Sequence, residues 1–127
     1  MDTRTRAVLL LALTAVVGSR TAHAQAPAAV TPALIAQGDS IFHSKGNCYA
    51  CHGANAQGAV GPNLTDAEWI HSDGSYDAIV KQVTTGVPQN ESKSGIMMPP
   101  KGGSSITDDE VKAVAAYVYS LSHKTGS

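Results

Sequence analysis

The residues with the clearest chemical potential are the only two cysteines of the chain and the histidine that follows them, in the run Cys48-Tyr49-Ala50-Cys51-His52. Two thiols separated by two residues can reach the two vinyl groups on one edge of a porphyrin and form thioethers. The adjacent imidazole can then bind the iron from one side of the ring. The C-x-x-C-H pattern therefore predicts one haem c, attached through Cys48 and Cys51, with His52 as an iron ligand.

Two other kinds of site also use paired cysteines. A thioredoxin-like dithiol is expected in a βαβ context, and the sequence shows no strand pattern of convincing length. A structural zinc site needs two more thiol or imidazole ligands at short spacing, and the chain has no second cysteine pair. Neither alternative gives His52 a role, so covalent haem attachment is the favoured interpretation.

Residues 1–24 have the pattern of a secretory signal peptide. Arg4 and Arg6 precede an apolar run over 7–17 that is too short to span a bilayer comfortably. The small residues of Ala22-His23-Ala24 suit a cleavage site, and cleavage after Ala26 is the near alternative. We therefore expect a periplasmic chain without stable membrane insertion after cleavage. The competing interpretation is an uncleaved anchor helix.

Cleavage at residue 24 leaves 103 residues, which predicts a flexible segment over 25–31 and one small domain over 32–123. This part keeps six lysines and nine carboxylates, a net charge of −3 with neutral histidines. Binding to nucleic acid is not expected, because it needs a basic surface to offset the phosphate charge. Aromatic residues are few, so a large apolar cofactor would help such a chain complete its core.

Helical periodicity and capping signals predict an all-α domain of three to four helices with long loops. Thr31 and Pro32 begin a first helix over 32–45, and a second helix fits 75–85. Thr107 and Glu110 form a capping box for the last helix. The stretches 47–66 and 87–105 are rich in turn-forming residues and are predicted to be loops.

From Gly38 to Leu121 the chain resembles the class I cytochromes c, and it is most similar to the small bacterial mono-haem domains. Besides the C-x-x-C-H motif, the resemblance is carried, in the family's order, by Gly61-Pro62-Asn63-Leu64, Met97-Met98-Pro99-Pro100 and Ala116-Tyr117-Val118-Tyr119-Ser120-Leu121. It implies the cytochrome c fold, in which the helices wrap around one covalently bound haem.

The resemblance also implies a methionine as the sixth iron ligand. Met97 and Met98 are the methionines that remain after the leader. Met98 is favoured, because a residue before proline is held extended and the family's ligand usually directly precedes a proline. Met97 stays open, and a third possibility is a histidine ligand from the set His43, His71 and His123.

Three supporting roles follow from the same resemblance. The backbone carbonyl of Pro62 is expected to accept a hydrogen bond from the ligand imidazole. Leu64 is expected to pack on the haem face. Gly38 is expected where the first and last helices cross, against Tyr117, because a glycine inside a helix costs about 1 kcal/mol and needs a compensating reason.

The favoured function is a monomeric electron carrier that docks transiently with redox proteins, since no residues look assembled for acid-base or nucleophilic catalysis. A second possibility is an obligate haem c subunit of a periplasmic dehydrogenase or terminal oxidase. A third is a sensor or peroxidase with a labile sixth ligand.

Overall fold

The computed structural model describes residues 26–124, so the predicted signal peptide and its cleavage site lie outside the described residues. Four α-helices follow in the order α1 Pro32–Phe42, α2 Tyr49–His52, α3 Tyr76–Thr85 and α4 Asp108–Ser122, with a 3₁₀ turn at Pro100–Gly103. No strand is formed within the described part of the chain, where the one bridge pairs Val87 with Met98. The prediction of an all-α fold is confirmed.

The capping signals place the helix starts as predicted. The Thr31 hydroxyl accepts from the Leu34 backbone N–H at 3.2 Å at the start of α1. At the start of α4, the Glu110 N–H donates to the Thr107 hydroxyl, and the Glu110 carboxylate accepts from the Thr107 N–H. Each of these bonds gives a partner to a backbone N–H group that would otherwise be unpaired at the start of a helix. The local sequence is therefore enough to start these helices.

Two predicted boundaries were wrong. The first helix ends at Phe42 rather than near residue 45, because the N–H groups of Ser44 and Gly46 both turn back to the carbonyl of Ile41 and close the last turn. The stretch 47–66 is not all loop, because it contains α2. A helix of four residues is too short to show the helical periodicity of apolar residues in the sequence.

The core forms where α1 crosses α4, and Gly38 makes the crossing possible, as predicted. A Cβ at residue 38 would overlap the carbonyl oxygen of Ala113 and lie 2.9 Å from the Cβ of Tyr117. One turn further along α1, the fully buried Phe42 meets Tyr117 edge to face, with ring centroids 5.3 Å apart. Within residues 26–124 no helix has both the length and the apolar composition needed to cross a bilayer.

His43 ties the end of α1 to the segment that follows α2. Its Nδ1 lies 2.9 Å from the Asp39 carbonyl oxygen and its Nε2 lies 2.6 Å from the Ala54 carbonyl oxygen. Carbonyl oxygens only accept, so both ring nitrogens must carry a proton to make both bonds. The Ala54 carbonyl, the Asp39 carbonyl and the nearby Asp39 carboxylate therefore raise the pKa of His43 above its usual 6.5.

A second contact positions the loop that returns from α3. The backbone N–H and C=O groups of Val87 and Met98 exchange two hydrogen bonds, at 2.8 and 2.9 Å. Gly86 precedes this pair with a φ of +70°, and a Cβ there would overlap the Met98 carbonyl oxygen. Only a residue without a side chain lets α3 end this close to Met98.

His43→Leu tests whether the protonated imidazole stabilises the fold. Because the pKa of His43 is raised in the folded protein, the stabilisation by its protonated imidazole is fully present below pH 6.5. It is lost as the pH rises through the pKa of His43 in the folded protein. In denaturant titrations of the purified protein, His43→Leu should lower the free energy of unfolding more at about pH 5 than at about pH 9. A loss of equal size at both pH values would contradict this explanation.

Gly86→Ala should destabilise the protein more than the matched variant Gly95→Ala. Gly95 has a similar φ of +74° and no neighbouring atom within 4 Å of an added Cβ, so Gly95→Ala measures the backbone cost alone, about 1–2 kcal/mol. At Gly86 the overlap with Met98, together with a ψ of −168° that is almost restricted to glycine when φ is positive, adds about 1–3 kcal/mol. Denaturant titration of both variants measures the decrease in the free energy of unfolding that each substitution causes. Equal decreases would show that the close approach to Met98 is unimportant.

Candidate haem site

The cysteine and histidine motif folds as the short helix α2 and its N-cap. Cys48 is the N-cap, and its half-buried thiol lies 3.5 Å from the Gly46 carbonyl oxygen. Cys51 is exposed, and no disulfide joins the two thiols. His52 ends the helix and is only 7% exposed, which makes it the one buried polar or charged side chain of the described residues. One helical turn thus puts a thiol at the surface and an imidazole in the interior.

A backbone carbonyl fixes the orientation of the buried imidazole. The Nδ1 of His52 lies 2.9 Å from the Pro62 carbonyl oxygen, the contact that the resemblance implies. Because that oxygen only accepts, Nδ1 carries the proton and Nε2 keeps its lone pair. Burial lowers the pKa of His52, and the bond to Pro62 opposes this only in part. The imidazole is therefore neutral and has a free nitrogen, the form that binds metals.

The loop 58–62 is held against α2 by backbone bonds. The Gly58 N–H donates to the His52 carbonyl at 2.7 Å, and the Gly61 N–H donates to the Cys51 carbonyl at 2.8 Å. A Cβ at residue 61 would lie 3.1 Å from both Cε1 and Nδ1 of His52, so the Gly61 backbone covers the ring directly. These contacts keep the Pro62 carbonyl within reach of Nδ1.

His52, Met98 and Cys48 line one cavity, part of which opens to solvent. All four helices contribute to its wall or its edge. Besides these three residues, the wall consists almost entirely of apolar side chains, and it is completed by Phe42, Leu64, Trp69, Ile79, Gln82, Val83, Val114 and Val118. The cavity therefore combines an imidazole nitrogen, a thioether sulfur and a thiol with apolar surroundings.

These residues fit a haem. A porphyrin has two apolar faces and an iron that takes one axial ligand from each side, and nitrogen and thioether are the ligands found in cytochromes c. Burial raises the pKa of the Cys48 thiol to about 11. A redox-active dithiol has a lowered pKa instead, so the buried neutral sulfur suits a thioether better than a thioredoxin-like nucleophile.

The other predicted ligand candidates lie elsewhere. Met97 is 51% exposed and does not line the cavity, whereas its neighbour Met98 does. His43, His71 and His123 are exposed and are also absent from the cavity wall. Between residues 26 and 124 the structure brings together no group of three or more His, Cys, Asp or Glu side chains that could hold a metal ion.

One residue of the cavity wall, Gln82, could not be recognised in the sequence. Gln82 lies on α3 and belongs to the cavity wall although it is polar. Trp69 also lines the cavity, and a Cβ at Gly74 would overlap its indole ring. No motif signals Gln82, because its position depends on how α3 packs against the rest of the chain.

Comparisons with known proteins agree with this geometry. Residues 33–118 match the model of the family described as cytochrome C oxidase, cbb3-type, subunit III. The CcoP subunit of the cbb3-type cytochrome c oxidase of Rubrivivax gelatinosus is 42% identical over 92 residues, which cover 72% of this chain and 27% of that protein. The FixP subunit of Rhizobium meliloti (strain 1021) is 38% identical over 100 residues, covering 76% and 30%. The chain thus spans less than a third of these curated relatives.

Solved structures show the same fold. Cytochrome cL from Methylophaga aminisulfidivorans is 25% identical with a TM-score of 0.58, and the match covers 74% of this chain and 57% of that one. Cytochrome cL from Hyphomicrobium denitrificans is 20% identical with a TM-score of 0.57, covering 76% and 51%. By its family match, its fold and its C-x-x-C-H turn, the chain belongs to the class I cytochromes c, a family of haem c electron-transfer proteins rather than enzymes, within the branch of the cbb3-type oxidase subunit III.

Proposed function

We propose that this chain is a mono-haem cytochrome c that residues 1–24 direct to the periplasm, where it carries one electron at a time between redox proteins. One haem c is attached through Cys48 and Cys51, with His52 and Met98 as its axial ligands. The observation that carries the proposal is the shared cavity, since a neutral imidazole, a thioether and a thiol meet there in one apolar wall.

Each of these side chains has a distinct task. The Pro62 carbonyl keeps the proton on Nδ1 of His52, so that Nε2 is available as a ligand. The thioether of Met98 favours the ferrous state and raises the reduction potential. When bound, the haem supplies a one-electron ferric/ferrous couple.

The surroundings support electron transfer rather than catalysis. The apolar wall, including Leu64, keeps water away from the ligands and lowers the local dielectric. Cys51 is exposed, so the edge that is attached there lies at the surface, within reach of a partner. Small redox encounters of this kind are weak and transient.

A second candidate function is a haem c subunit that stays bound to a terminal oxidase. It is favoured by the family match over residues 33–118 and by the CcoP and FixP relatives, which are oxidase subunits. The structural likeness to the two cytochromes cL favours the free carrier. The iron chemistry is the same in both cases, so the two functions differ in how long the chain stays with its partner.

Spectra of Met98→Ala and Met97→Ala test the ligand set. The oxidised wild-type protein should show the sulfur-to-iron charge-transfer band at the red end of the visible spectrum. Met98→Ala should lose the band and bind carbon monoxide rapidly when reduced, because it removes the thioether that lines the cavity. Met97→Ala is the matched control and should keep the band. If only Met97→Ala lost it, the ligand assignment would be wrong, and a colourless purified protein would refute the haem site altogether.

Purification of the tagged full-length chain from its own cells separates the two functions. As a free carrier, it should appear in the periplasmic fraction, run at the mass of one chain and exchange electrons with several small redox proteins. Stoichiometric co-purification with oxidase subunits through detergent extraction and salt washes would instead establish the bound subunit.

A further inference from the structure

The imidazole of His43 lies beside the haem site, and the proposed function leaves it without a role. Its Nε2 lies 2.6 Å from the carbonyl oxygen of Ala54, which follows the ligand His52 by two residues. Its Nδ1 lies 2.9 Å from the carbonyl oxygen of Asp39 and 2.9 Å from a carboxylate oxygen of the same residue. The ring also packs against Phe42, with ring centroids 5.1 Å apart, and Phe42 lines the haem cavity. Phe42 therefore connects the imidazole with the cavity.

The contacts of His43 favour its doubly protonated form. Every oxygen that faces its ring nitrogens is an acceptor, so an imidazole with a single N–H would leave one carbonyl without a donor. The Ala54 carbonyl raises the pKa of His43 most, the Asp39 carbonyl comes next, and the Asp39 carboxylate adds to them, while burial opposes them in part. Lys45, the cation nearest in sequence, is paired with Glu110 instead. His43 therefore loses its second proton above pH 6.5.

Two other titratable side chains face this imidazole besides the Asp39 carboxylate. Tyr49 on α2 stacks on the ring at a centroid distance of 6.4 Å, and Tyr117 on α4 meets it edge to face at 6.0 Å. Burial and the charge of Asp39 raise the pKa of Tyr117 above its usual range, so that phenol stays neutral where His43 titrates. The imidazole is therefore the group of this cluster that is suited to exchange a proton near neutral pH.

A proton on His43 and an electron on the haem influence each other through their charges. The haem carries one positive charge more in the ferric state than in the ferrous state, so a nearby imidazolium disfavours the ferric state. By linkage, reduction of the haem must raise the pKa of His43 by the same free energy. The apolar cavity wall strengthens this coupling, because it holds little water to screen the charges.

We propose that reduction of the haem is coupled to proton uptake at His43, and that oxidation releases the proton again. The electron comes from a redox partner, and the proton comes from solvent, which reaches the 35% exposed side chain of His43. The inference rests on the proposed function, because it assumes a reversible haem couple in this cavity.

The test is potentiometric titration of the purified holoprotein at a series of pH values. The ferrous-to-ferric ratio of the wild type at a fixed potential should be about threefold larger at about pH 5 than at about pH 9, a decrease of ~28 mV in the midpoint of a one-electron couple as the pH rises. The change is well below tenfold, since water screens the partly exposed charge of His43.

Substitutions of His43 assign the pH dependence to its proton. His43→Gln keeps an N–H donor without a charge and should hold the midpoint near the low alkaline value at every pH. His43→Lys keeps a positive charge up to about pH 9 and should hold the midpoint near the high acidic value. His123→Gln is the matched control, because it removes an exposed imidazole that bonds and stacks within α4. It should keep the pH dependence of the wild type.

The outcomes separate this inference from the proposed function. If the purified wild type has no reversible haem couple, the proposed function itself fails. If the couple is present but its midpoint does not change with pH, or if His43→Gln keeps the pH dependence of the wild type, proton uptake at His43 is refuted. Should the variants fail to mature with haem, NMR titration of the wild-type His43 ring decides the question. Its pKa must be higher in the ferrous than in the ferric protein, and equal values would refute the coupling.

Discussion

The hydrogen bond from Nδ1 of His52 to the Pro62 carbonyl fixes both the direction and the protonation state of the buried imidazole. It joins two segments that are ten residues apart, and the loop between them is built to keep the carbonyl in place. Gly58 and Gly61 bond back to the carbonyls of His52 and Cys51, and Gly61 lies flat against the ring. Without this bond, burial alone would leave the neutral imidazole free to turn, and Nε2 would have no fixed direction.

The methionine side of the cavity is held in a different way. Met98 lies at the end of a long loop and is fixed through its backbone by the pairing with Val87, which the tight end of α3 at Gly86 makes possible. The imidazole is thus oriented by a bond to its own ring, whereas the thioether is oriented through the main chain.

Local signals predicted much of this molecule. The caps at Thr31 and Thr107 act over three residues, and the C-x-x-C-H spacing is a covalent constraint that does not depend on the fold. The choice of Met98 over Met97 as the sixth ligand rested on the following proline and stays a prediction. Of the two methionines, Met98 lines the cavity and Met97 is exposed. Each of these features depends on only a few neighbouring residues.

The rest could not be predicted because it depends on contacts between distant segments. The helix α2 is too short to show a period, and its shape comes from the loop 58–62 that folds back on it. Gln82 is polar in sequence and lines an apolar cavity in space, so its residue type gives no sign of that position. Such a residue is where local preference and tertiary position disagree, and a disagreement that a protein keeps is expected at a functional site.

The cavity also bears on the choice between a free electron carrier and an oxidase subunit. A cytochrome c domain in either setting needs two axial ligands, an apolar wall and an exposed attachment edge, and the residues that we propose for these roles lie inside or beside one cavity. Nothing in that cavity depends on whether the partner is held for milliseconds or permanently. The family match therefore fixes the cofactor chemistry, while the choice between carrier and subunit depends on the outer surface and on whatever accompanies the domain in the cell.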